Sequence, residues 1–306
     1  MPPIVAYLDV LGFSSYTEKD LYGAQLLLRH QEFILQTALQ DGQSHPASSY
    51  TDPGLAAVAE AHLVDSFKHF LPFSDSIFIV SESPDKFARQ LSNFLISCLR
   101  LVDRAYDNPA KPEEVEITNI TTGEKRVEKW YPPLWRGGIA TGELAAFKAM
   151  GIENGKPVPI PNLAGMAVVK AAKLEEWAKK EKCRGPRLFC EAGFEKLFGE
   201  DIKPYFQPVK DSVSEFLWPA FLFQCGNNPQ MDMQHFHDLW RPAVCLWKSK
   251  RGQPVFEHYD EFLKLLIRSF LRWAEVVGCK PEARKYVELW ITADLSKELI
   301  ESYLPY

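Results

Sequence analysis

Ile4-Val5-Ala6-Tyr7-Leu8-Asp9-Val10-Leu11-Gly12-Phe13-Ser14 is the stretch whose reading decides the fold. An apolar run ends on an acid, and a glycine follows shortly after. Residues 3–9 read as a short buried strand with Asp9 at its end. Asp75 repeats the arrangement, lying between Phe73-Ser74 and the apolar run Ile77–Val80. If the two segments are neighbouring strands, both carboxylates meet at one edge of a sheet. Bare carboxylates that close repel each other. A divalent cation and a phosphate chain remove that cost, so the pair points to nucleotide chemistry. Each aspartate alone has an ordinary reading as well: Asp9 as a turn former or helix cap, Asp75 as a hairpin-turn residue with Ser74 and Ser76. In Leu11-Gly12-Phe13-Ser14 the glycine lets backbone amides turn toward an anion, and a helix start beside it would add its own N–H groups.

The chain has 306 residues, 46% of them hydrophobic, enough for one sizeable core with an appendage or for two modest domains. A net charge of −5 speaks against a long nucleic-acid partner, which calls for a basic excess. The six cysteines, Cys98, Cys183, Cys190, Cys225, Cys245 and Cys279, form no CxxC pair and read as buried thiols. The start lacks a basic leader, and no apolar run approaches the ~20 residues of a membrane span. A soluble cytoplasmic protein, with no nucleic-acid or membrane partner, is the expectation. GxSxG, GxxxxGK[ST] and HExxH are all absent, in keeping with a reaction that uses no covalent protein nucleophile.

Further along, residues 20–40 carry Leu21, Leu26, Leu27, Phe33 and Ile34 at helical spacing, and 41–56 read as a loop. His62–Phe70, before the Pro72 break, and Ile77–Val80 read as the arms of a hairpin. A helix is expected from Pro84 to about Tyr106, with a polar insertion at 107–133 holding a small hairpin around residues 116–127. Trp135–Thr141 reads as a strand, Asn154–Pro161 as a turn-rich link, Gly165–Lys180 as a helix and Arg187–Cys190 as a strand. The order fits an antiparallel or mixed sheet with helices on one face, an α+β arrangement. Residues 1–200 form the expected main domain. Residues 201–306 form an aromatic, helical extension packed on it, with a stripe from Phe262 to Trp273.

The Asp9 segment resembles the first metal motif of the class III nucleotide cyclases: strand, Asp, two residues, Gly-Phe and Ser/Thr. Ser74-Asp75 stands where that family has a hairpin Gly-Asp. Arg136-Gly137-Gly138-Ile139-Ala140-Thr141-Gly142-Glu143 resembles its Gly-Ile-x-x-Gly segment, and Gly165…Val168…Ala171-Ala172-Lys173-Leu174-Glu175 its transition-state helix. The four segments keep the family's order over residues 3–190. The resemblance implies a ferredoxin-like sheet with helices packed on it and two Mn²⁺ or Mg²⁺ ions per site on Asp9, Val10 and Asp75. It further implies nucleotide contacts at Gly12, Phe13, Ser14, Tyr50 and Asn162. One ion would activate the ribose 3′-hydroxyl for in-line attack on the α-phosphorus and the other would stabilise the departing pyrophosphate.

The departures carry information. The transition-state arginine falls on Lys173, a point charge without a bidentate fork. The ribose-orienting asparagine falls on Val169, and the purine-reading lysine and acid fall near Leu71 and on Asn162. With that pattern lost, the chain looks like the pyrimidine cyclases of bacterial antiphage defence, the Pycsar system, whose cyclic UMP or cyclic CMP acts on a separate effector. UTP is the expected substrate and CTP the alternative, ahead of an adenylyl or guanylyl cyclase or a silent nucleotide-binding or dimerisation module. Asn162 could hydrogen-bond to either pyrimidine. Tyr50 could stack on the base, or be an ordinary loop tyrosine. Arg136 offers its guanidinium to a phosphate or to a surface carboxylate. Lys173, with Lys170, Lys179 and Lys180 nearby, also reads as part of a solvated basic face. Arg100 and Arg104 could meet the base or phosphates across a dimer, or form helix salt bridges. The family's sites lie in a head-to-tail homodimer, which would place Asp9 and Asp75 on one chain and Lys173 and Asn162 on the other.

Overall fold

In the computed structural model, residues 2–19, 21–44, 46–100, 114–118, 123, 125–129, 133–210, 212–223, 229–253, 255–296 and 299–304 are described. Cys225, Arg104 and the side chains of Cys98 and Arg100 lie outside that set. The centre is β1 (Ile4–Val10), flanked antiparallel by β3 (Ser76–Ser81) and β6 (Trp135–Thr141). β2 (His69–Phe73) closes one edge. On the other side β9 (Leu188–Glu191) runs parallel to β6, followed by β11 (Val213–Phe216) and β10 (Phe206–Lys210). The result is a mixed seven-stranded sheet of order β10-β11-β9-β6-β1-β3-β2 in an α/β chain.

Strand alternation sorts β1 cleanly. Ile4, Ala6, Leu8 and Val10 join the larger core, with Leu27 and Ile34 of α2 (Leu21–Ser44) and Phe87, Leu91 and Phe94 of α4 (Pro84–Arg100). Val5 and Tyr7 face the other way, onto Ala167, Ala171, Leu174 and Ala178 of α5 (Met166–Lys180). Helices therefore cover both faces, not one. Gly138 explains how closely α5 sits: a Cβ there would lie 2.2 Å from the Ala171 carbonyl oxygen and 2.6 Å from Leu174 Cβ. Leu21 and Phe33, expected on the packing stripe of α2, are exposed.

Three local readings are corrected. The expected loop 41–56 holds the end of α2 and the start of α3 (Pro53–Ala61), where Asp52 Oδ1 accepts from the Leu55 amide at 2.9 Å and Pro53 fits the first turn. The first hairpin arm is β2, which passes through Pro72 where His62–Phe70 was expected, because an edge strand tolerates a residue without an N–H. The expected link at 154–161 is part of a long hairpin, β7 (Ala145–Glu153) and β8 (Lys156–Ala164). Asn154 and Gly155, at φ 50° and 75°, make its tight turn. Pro157, Pro159 and Pro161 alternate along β8, so their missing donors fall on its open edge. The small hairpin of the insertion is present as β4 (Glu114–Thr118) and β5 (Lys125–Lys129), whereas residues 101–106 of the expected helix lie outside the described set.

The sheet continues past residue 200 into β10 and β11, and one core joins it to α6 (Pro229–Ser249), α7 (Phe256–Val276) and α8 (Lys280–Asp294). Polar contacts tie α7 to the sheet and to the connection between α5 and β9. Glu215 of β11, 1% exposed, takes a fork from Arg187 at 2.7 and 2.7 Å and another from Arg268 at 2.9 and 3.2 Å. His258 Nδ1 accepts from the Gly185 amide at 3.2 Å, just beyond the end of α5. Cys190 is buried, while Cys183, Cys245 and Cys279 are only half-buried thiols. No helix among the described residues is long and apolar enough to cross a membrane.

Candidate active site

Asp9 is paired in register with Ser76 on one side and Arg136 on the other, so all three side chains project from the α5 face of the sheet. Asp75 precedes Ser76 in the β2–β3 turn, where Ser74 takes a φ of 56°. The Val10 amide donates to the Asp75 carbonyl at 2.9 Å. This main-chain bond sets the backbones of the two expected aspartates side by side at one end of adjacent strands.

Asp9 is pinned at both oxygens. Ser76 Oγ donates to Oδ1 at 3.2 Å, and the Lys179 ammonium lies 3.0 Å from Oδ2. Since the Ser76 hydroxyl gives its proton to Asp9, the Tyr7 hydroxyl, 2.9 Å away, donates to Ser76. Burial, then the Asp9 and Glu175 charges, raise the Tyr7 phenol above its usual value although its Ser76 hydrogen bond opposes them, so it stays protonated. Burial by itself would lower Lys179, but its hydrogen bond to Asp9 and the Asp9 and Glu175 charges outweigh it and hold the ammonium above its ordinary range.

Behind Asp9 sits a second, drier layer. Glu175, one helical turn before Lys179, places Oε2 at 3.2 Å from that ammonium. Its Oε1 accepts from Arg136 Nη2 at 2.9 Å and Nε at 3.3 Å, and Arg136 Nη1 donates to the Cys183 carbonyl at 2.9 Å. Arg136 and Glu175 are 6% and 3% exposed. Arg136 does meet a carboxylate, but a buried one, because the close seat of α5 over Gly138 brings Glu175 down onto the strand.

The remaining expected residues are placed as follows. Gly12 turns with φ 78° into α1 (Phe13–Lys19), which begins at Phe13 and Ser14. The Leu11 amide is already bound to the Leu134 carbonyl at 2.8 Å, so this amide and that of Val10 are committed within the fold. Tyr50 is exposed in the connection before α3, which packs on α4 and so belongs to the helical layer on the opposite face from Asp9. Asn162 is exposed on β8, its Oδ1 accepting from the Leu163 amide at 2.8 Å. Lys173 is exposed on α5 and makes no salt bridge among the described residues, whereas Lys170 and Lys180 pair with Glu191 and Glu176. Lys173 precedes Lys179 by six positions, roughly 240° around the helix, so it points away from its own Asp9.

Sequence reasoning missed Ser76, Tyr7 and Lys179. The signal was present only as the i,i+4 spacing of Glu175 and Lys179 and the second serine beside Asp75. Among the described residues, no three His, Cys, Asp or Glu side chains gather into a metal-holding group. Any ion at Asp9 and Asp75 would complete its shell with phosphate and water oxygens. The donor set nevertheless suits a hard divalent cation: carboxylate oxygens at a strand end, one of them already bearing a cation in the Lys179 ammonium. No protein-family model matches the chain, and no curated protein matches it in sequence.

Proposed function

We propose that this protein is a metal-dependent nucleotidyl cyclase of the class III type that converts UTP to 3′,5′-cyclic UMP and pyrophosphate. The observation that supports the reading is the main-chain Val10–Asp75 hydrogen bond, which brings the backbones that carry Asp9 and Asp75 together at one end of adjacent strands. Mn²⁺ or Mg²⁺ ions, when bound, would supply the Lewis-acid chemistry that activates the ribose 3′-hydroxyl and neutralises the leaving pyrophosphate. Asp9 and Asp75 are the residues to hold them. Ser76, backed by Tyr7, fixes the rotation of the Asp9 carboxylate. Arg136 and Glu175 set the height of α5 over the strand and act as positioning residues.

Lys173 faces away from its own Asp9 and could reach such a site only from a second chain. The surface around it supports a homodimer with sites at the interface: Met150 and Ile152 of the β7–β8 hairpin are 83% and 79% exposed, and Met166 and Val169 on the Lys173 side of α5 are exposed too. The choice of UTP over CTP follows from the resemblance to the Pycsar cyclases. Asn162 Oδ1 accepts from the Leu163 amide, which leaves its NH₂ donor to meet an acceptor on either pyrimidine. A second-messenger role in antiphage defence, with the product acting on a separate cyclic-nucleotide-binding effector, follows from the resemblance to the Pycsar cyclases.

The test is incubation with Mn²⁺ and each of ATP, GTP, CTP and UTP, with products identified by mass. Cyclic UMP from UTP is expected, with activity per chain falling on dilution below the dimer dissociation constant. Nucleotide binding without pyrophosphate release from any of the four would replace the enzyme with a nucleotide sensor.

A further inference from the structure

We propose that Lys179 is a built-in cation that occupies Asp9 until a divalent ion displaces it, and so sets how tightly the site takes metal. This rests on the reading of Asp9 as a metal ligand. Asp9 has one oxygen on Ser76 and the other on the Lys179 ammonium at 3.0 Å. A divalent ion bound through that second oxygen competes with the ammonium for its lone pairs and is repelled by the lysine charge.

The surroundings make the exchange possible. Lys179 is half-exposed on the last turn of α5, with a flexible four-carbon stem. Glu175 Oε2, 3.2 Å from the same ammonium, retains the lysine once Asp9 is given up. Glu175 itself cannot follow, since Arg136 grips its other oxygen in the buried layer. Charge counting points the same way. Asp9, Asp75 and Glu175 face Arg136 and Lys179, one negative charge in excess, so a dication that entered with the ammonium still in place would leave the cluster net positive. Lysine suits this role because its point charge lacks the planar fork with which an arginine would hold a carboxylate.

Mn²⁺ binding to the full chain without nucleotide, read from the electron paramagnetic resonance of free Mn²⁺, tests the proposal. Lys179→Met should bind Mn²⁺ roughly five- to tenfold more tightly than the wild type. Lys179→Arg should bind no more tightly than the wild type, because it keeps a cation on Asp9. Asp9→Asn should lose the site. If Lys179→Met binds as weakly as the wild type while Asp9→Asn still removes binding, the role of Lys179 is overturned and the metal reading stands. If Asp9→Asn binds Mn²⁺ like the wild type, the metal reading falls and this inference with it. Should Lys179→Met not fold, Lys179→Gln carries the same expectation.

Discussion

Two charged clusters flank the same stretch of sheet, and they are built differently. Around Glu215, two arginines each present a fork to a carboxylate that is 1% exposed, joining β9, β11 and α7. Around Asp9, the outermost partner is a lysine half in solvent, and the carboxylate keeps 13% of its surface open. A bidentate arginine pair in a dry setting resists rearrangement, because breaking it leaves buried charge uncompensated. A single ammonium at a strand end can be exchanged for another cation. Rigid forks thus hold the fold around Glu215, and a releasable point charge sits at the strand end that carries Asp9.

The largest expected effect separates the two clusters by readout. Asp75→Ala should abolish turnover, by about a thousandfold or more, while changing unfolding free energy by less than about 0.5 kcal/mol, as a half-exposed turn side chain does. Full activity in that variant would remove Asp75 from the site. Glu215→Gln should do the reverse to stability, costing about 3–5 kcal/mol in denaturant unfolding, because Arg187 and Arg268 lose their shared counter-charge. A loss below about 1 kcal/mol would mean the Glu215 cluster is no firmer than the one at Asp9. Burial opposes ionisation of Glu215, but the two arginines win and hold its carboxyl below the usual value. Its contribution is therefore present above the ordinary glutamate pKa of 4.5 and lost as pH falls through the lower folded value.

The smallest effect lies between the clusters, at His258. Burial first, then the Arg136 and Arg184 charges, hold its imidazole down to about 4 from 6.5. Between those values the unfolded chain binds a proton that the folded chain does not, so stability rises with pH across the window and is fully present above 6.5. Acidification from pH 6.5 to 4 should cost about 2 kcal/mol through this residue. His258→Gln should flatten that part of the pH–stability curve, and an unchanged slope would show that α7 does not sense the Arg136 layer.

Much of this was readable from local pattern. The apolar run before Asp9, the run after Asp75 and the helical spacing of 165–180 are short-range signals, and each marks an element close to where it forms. The prolines of β8 misled because Pro usually ends a strand. Only pairing with β7 reveals that every missing donor faces outward. The continuation of the sheet past 200 was hidden for a related reason: β10 joins through β11, which pairs with β9, and that pairing is not visible in local composition.

What the sequence determined by itself was which residues could carry charge at a strand end, Asp9 and Asp75, and which segments could pair to bring them together. The tertiary structure decided what those charges touch. Lys179 meets Asp9 across 170 residues of chain, and Arg136 meets Glu175 rather than solvent, only because α5 lies flat on a strand with a glycine beneath it. Periodicity reports which face of an element is apolar; it holds no information about which distant side chain arrives at its polar end.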